Sequence, residues 1–203
     1  MSQPNATPET FQQRSSLTVG RVYLVTAAMV LGNLALPYAV HLVPDAGRVL
    51  LPIFFFTLIA GWAFGAQVGI LTGILSPLAN HFLTGMPPAA ALRDIMLQSA
   101  LLGALAAIVA SRSRKLTLPL VALVVVLHQT LALAPSLFHS GLQPALATLR
   151  LRIPGLLLQI LGGFSVLWLM GRYLAPSRPG TYHVTAASAS DPLASARATV
   201  TVP

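Results

Sequence analysis

An all-α integral membrane protein, with six transmembrane helices in one compact bundle and both termini cytoplasmic, is the fold class this sequence predicts. Three observations carry it. Of 203 residues, 55% are hydrophobic and only 8% charged, against about 25% charged in soluble domains, so there is too little charge to coat a globule in water. The apolar residues fall in runs of the length that crosses a bilayer, about 20 residues. Glycine also recurs at every fourth position in Gly61-x-x-x-Gly65-x-x-x-Gly69-x-x-x-Gly73, which lays a groove along a helix and lets another backbone approach closely in lipid.

The spans are expected at 19–40, 47–64, 66–84, 91–111, 116–136 and 152–174. Pro44-Asp45-Ala46-Gly47 separates the first two, and the Gly65 region makes a tight turn before the third. Leu83-Thr84-Gly85-Met86-Pro87-Pro88 turns the chain again, its prolines suited to a helix start where a missing N–H costs nothing. Ser111 to Lys115 forms the fourth connection. The fifth, from Ser136 to Leu151, reads as a longer loop with room for a short surface helix. Residues 1–18 are expected to be a disordered cytoplasmic N-terminus, 19–174 the membrane domain, and 175–203 a disordered cytoplasmic tail rich in Ser, Thr, Ala and Pro. The first apolar run is long enough to span and is expected to be retained.

Orientation follows from the basic residues. Arg14, Arg21, Arg112, Arg114, Lys115, Arg172 and Arg178 fall on one side, and Arg48, Arg93, Arg150 and Arg152 on the other. The richer side belongs in the cytoplasm, so the expected location is the plasma membrane. The net charge of +8 forms no basic face with interleaved aromatics, which argues against nucleic acid. With no cysteine, disulfides and thiolate metal sites are excluded. His41, His81, His128 and His139 lack metal-ligand spacing, and no nucleophile motif or phosphate loop occurs. No metal, cofactor or catalytic residue is expected.

With that topology, intramembrane polar residues gather toward the outer end: Asn33 and His41 on helix 1, Arg48 beyond it, Asn80 and His81 ending helix 3. Arg93, Asp94 and Gln98 begin helix 4, His128 and Gln129 lie on helix 5, and Gln159 on helix 6. The inner halves hold little beyond Thr26, Thr57, Gln67, Thr72 and Ser165. Polar groups facing hydrocarbon are expensive, so such a cluster marks a bundle interior or cavity. These outer residues, with Phe54 to Phe56 as a wall, are the candidate substrate-binding set. Small-residue ladders, Ser99, Gly103, Ala107 and Ser111 on helix 4 and Ala28 with Gly32 on helix 1, predict close helix packing.

The run Gln67-Val68-Gly69-Ile70-Leu71-Thr72-Gly73-Ile74-Leu75-Ser76-Pro77-Leu78, continuing to Leu83-Thr84-Gly85-Met86-Pro87-Pro88, resembles the substrate-binding subunit (S component) of energy-coupling factor vitamin transporters. The resemblance covers roughly residues 47–110. It implies a membrane-embedded binder of a vitamin or related micronutrient, with its pocket near the outer face. It also implies a membrane coupling subunit and two ATPase subunits as partners. The family's docking motif on helix 1 would fall on Ala28 and Gly32. A different class of function, a six-helix membrane scaffold of the cell-shape type that binds no ligand, fits the same hydropathy pattern.

Overall fold

The computed structural model describes residues 18–40, 52–113, 115–173, 180–187 and 195–202. His41 and Arg48 lie outside the described residues. Two compact units divide the chain, Met1–Tyr173 and Leu174–Pro203.

The described elements of the first unit are all helical. Helix α1 spans Val19–Val40, and a 3-10 turn at Pro52–Phe54 leads into α2, Phe55–Phe64. Then come α3, Ala66–Thr84, α4, Ala89–Arg112, and α5, Leu118–Ser140. Helix α6, Leu142–Leu157, runs through a π-helical segment, Leu158–Gly162, into α7, Gly163–Tyr173. Among the described residues, four stretches are long and apolar enough to cross a membrane: Val19–Leu36, Ala89–Arg112, Leu118–Pro135 and Leu142–Tyr173. This is a membrane-embedded protein.

Helices α3 and α4 are inverted relative to those of a soluble protein. The buried face of α4 is Ser99, Gly103, Ala106, Ala107 and Ala110 with Leu102, while Leu97, Leu101 and Ile108 point outward. The buried face of α3 is likewise small or polar, with Gly69, Thr72, Gly73, Ser76 and Asn80, while Leu75, Phe82 and Leu83 are exposed. In lipid there is no gain from hiding leucine, so close packing and internal hydrogen bonds decide which face turns inward.

The two glycine-bearing ladders meet as the spacing predicts. A Cβ on Gly61 would strike the Gly103 carbonyl oxygen, and one on Gly69 would lie 2.7 Å from Gly61 Cα. A Cβ on Gly73 would lie 2.6 Å from the Ala100 nitrogen. Helices α2, α3 and α4 therefore touch backbone to backbone along one seam. Gly65 plays a separate part: at φ 90° and ψ −178° it occupies a conformation open essentially only to glycine, and so turns α2 into α3. Nearly all of α2 is buried, from Phe55 through Ala63 apart from Phe56, as befits a helix surrounded by others.

The 136–151 connection differs from expectation. Helix α5 continues to Ser140 and α6 starts at Leu142, with only Gly141 (φ 85°) between them. His139, Gln143, Arg150 and Arg152 dilute the hydropathy there without breaking the helical leucine spacing, so low hydropathy mimics a loop.

In the second unit the described residues are two strands. Gly180–Ala187 and Ser195–Val202 pair as antiparallel strands β1 and β2, with Gly180 opposite Val202 and Ala187 opposite Ser195. Threonine and valine recur along both, and such β-branched residues favour extended backbone.

Candidate functional site

The predicted outer cluster divides into four environments. The first is a sealed junction. Asn33, fully buried on α1, donates from Nδ2 to Thr57 Oγ1 (3.1 Å) and to Ser76 Oγ (3.0 Å). Its Oδ1 accepts the Phe56 N–H at 3.0 Å, and Thr57 Oγ1 shares a hydrogen bond with Ser99 Oγ at 3.2 Å. One side chain thus ties α1 to α2 and α3, and Thr57 extends the network to α4. Phe56 is in the first turn of α2, where backbone N–H groups lack helical partners, so Asn33 caps that helix from outside it. Asn33 is spent on internal packing. Thr57, assigned by sequence to the inner half, belongs at the level of Asn33, because α2 starts only at Phe55.

The second is the α3–α4 turn. His81 Nδ1–H donates to the Pro87 carbonyl at 2.7 Å, and Thr84 Oγ1 donates to the Asn80 carbonyl at 2.8 Å. The first bond ties the end of α3 to the turn, and the second lies within the last turn of α3. The third is the surface. Arg93 and Asp94 pair at 3.4 Å with side chains 86% and 61% exposed, so neither is enclosed. Arg93 edges a shallow groove of about 340 Å³ whose other walls are Ile74, Ala89, Leu92, Met96, Leu97 and Ala100. That groove is apolar and open to the outside of the bundle.

The fourth is interior and polar. His128 is 2% exposed, Gln129 4% and Gln159 1%. His128 Nε2–H donates to the Gln98 carbonyl oxygen at 3.0 Å, crossing from α5 to α4, and the Phe54 ring lies 5.4 Å from the imidazole. The π-helical segment carrying Gln159 packs against α5, and a Cβ on its Gly162 would come within 3.0 Å of the Phe55 ring. The start of α2, the middle of α5 and the π segment therefore converge. Arg152, on α6 before the π segment, is half-buried.

Among the described residues, four buried polar atoms have no hydrogen-bonding partner: Thr26 Oγ1, Thr72 Oγ1, Gln129 Nε2 and Gln159 Oε1. The hydroxyls and the amides differ in kind. A helical threonine can rotate onto the carbonyl four residues back, as Thr84, Thr130 and Thr148 do. A glutamine amide has no such local remedy. A buried polar atom left unpaired costs about 1–3 kcal/mol, so Gln129 and Gln159 mark where this bundle has bonding capacity to spare. Sequence reading found both by depth. It missed that Gln159 lies on a π-helical turn, a distortion common at functional sites.

On the expected docking face, Ala28 is exposed but Gly32 is committed inward, where a Cβ would lie 2.9 Å from the Phe56 ring. The motif's second position thus serves internal packing. Among the described residues, no group of three His, Cys, Asp or Glu side chains could hold a metal ion. No protein-family model, curated protein or solved structure matches this chain.

Proposed function

We propose that this protein binds a small polar solute within the membrane, as the substrate-binding subunit of an uptake system for a vitamin or related micronutrient. In this reading six membrane helices place both termini in the cytoplasm, in the plasma membrane of the cell. A coupling subunit and two ATPases supply the energy, since the chain has no nucleotide-binding loop of its own. The observation that carries the proposal is the burial of His128, Gln129 and Gln159 on α5 and on the π segment packed against it, with one amide atom of each glutamine unpaired. Lipid cannot satisfy them, and a solute entering between α2, α5 and the π segment can.

The test is a thermal-shift screen of the purified full chain in nanodiscs against vitamins and their precursors. A ligand at about 1,000 times its Kd stabilises by about 4 kcal/mol, an easily read upward shift. At least one compound should produce it, and Gln159→Leu should abolish it. A panel with no hit removes the proposal.

A scaffold without a ligand is the second reading. It is favoured by the fully bonded Asn33 junction and the glycine seam, which together make α1–α4 a rigid block that needs nothing added. The readings part at His128: a scaffold tolerates His128→Ala in function, whereas a solute binder loses affinity.

A further inference from the structure

The groove beside Arg93 opens toward the bilayer. Along α4 it follows one stripe, from Ala89 through Arg93 and Leu97 to Ala100 at steps of three and four residues, with Ile74 of α3 as the facing wall. Ala89 to Ala100 is about 16 Å along the helix axis, and one leaflet of the hydrocarbon layer is about 15 Å deep. A space of about 340 Å³ so placed takes up a lipid chain, because an empty one would forfeit dispersion contacts along its walls. The apolar walls do not choose among lipids, since lipid tails are as apolar as leucine. Selection falls to the rim.

There Arg93 directs Nε to Asp94 Oδ1 at 3.4 Å, which leaves the two terminal amino groups of the guanidinium for another ligand. Both side chains are largely exposed, and an arginine in the second turn of α4 can extend its head to the interface. A cation and an anion thus stand side by side at the mouth of an apolar groove one leaflet long. We infer that the groove holds an aminophospholipid, with one acyl chain along α4, its phosphate on Arg93 and its primary ammonium on Asp94. The guanidinium fork suits a phosphate. A phosphoglycerol headgroup has no cation for Asp94, and a quaternary choline has no N–H to donate to it. This site is separate from the polar interior and stands whether or not a solute enters there.

The experiment is native mass spectrometry of the full chain in detergent, titrated with phosphatidylethanolamine, phosphatidylcholine and phosphatidylglycerol of identical acyl chains. Phosphatidylethanolamine should be retained about two- to fivefold better than the other two, the range of an exposed ion pair. Arg93→Gln should weaken all three, and Asp94→Asn should erase the preference; both side chains are exposed, so both variants should melt with the parent. Ala100→Leu, which fills the groove floor, should weaken all three lipids. Glycerophosphoethanolamine, the same headgroup without chains, should fail to compete, and this arm tests the groove even if Ala100→Leu does not fold. Equal retention of the three lipids, preference for either of the other two, or a preference that both rim variants keep overturns the assignment. So does undiminished binding to folded Ala100→Leu, or competition by the chainless headgroup, which gives the rim to a free phosphate ester. A dimer that displaces lipid gives the groove to a second copy and overturns it too.

Discussion

Asn33 shows how one polar side chain organises a bundle that hydrophobicity cannot. Its three hydrogen bonds serve Thr57, Ser76 and the Phe56 N–H, and replacing it with leucine removes all three and leaves the part-buried Phe56 N–H without its acceptor, while Thr57 keeps Ser99. Asn33→Leu should cost about 1–3 kcal/mol, read as a lower melting temperature in detergent. Thr57→Ala should cost less, because Asn33 keeps Ser76 as an acceptor. The composition of this junction was legible only in part. Asn33 is conspicuous in an apolar run, but Thr57, Ser76 and Ser99 are individually unremarkable, and only the fold brings four helices' worth of them together. The same applies to Gln129 and Gln159. Their depth can be counted along the chain, while their missing partners appear only when the helices are assembled.

At the level of elements, glycine spacing was the most readable signal, because fourfold repetition specifies a face and nothing else in the chain competes for it. The seam yields a paired prediction. Gly61→Ala puts a methyl into the Gly103 carbonyl, which cannot rotate away as a side chain would, and should cost about 1–3 kcal/mol or more through overpacking. Gly20→Ala, on α1 with nothing within 4 Å, should be neutral or gain up to about 1 kcal/mol from helix propensity. Thermal melting of the two variants side by side checks both. The α5–α6 junction was illegible for a definite reason. Hydropathy reports how long a helix sits in lipid, not how long it is, and so α5 and α6 outlast the apolar stretches that announce them. Gly141 now stands out, since a left-handed φ penalises any other residue by about 1–2 kcal/mol.

For the whole molecule, composition alone led to the membrane, and the exposed leucines, phenylalanines and tyrosines around every long helix agree with a lipid surround. Which side faces the cytoplasm rests on the basic residues, and the absence of cysteine makes it directly measurable. In intact cells a membrane-impermeant maleimide should label Ala89→Cys, at the exposed start of α4. It should reach Lys115→Cys, after the end of the same helix, only once the membrane is permeabilised. The reverse pattern inverts the topology and moves the polar interior site with it.

The seam also bears on how the chain enters the bilayer. From Pro52 to Phe64 the helix is about 20 Å long, short of the roughly 30 Å hydrocarbon layer, and α3 brings Gln67, Thr72, Ser76 and Asn80 into that layer. Neither is suited to partition into lipid alone. Their stabilising surface is the glycine face of α4, which leaves the ribosome later. The three should therefore enter together, as a single hydrogen-bonded, backbone-matched wedge.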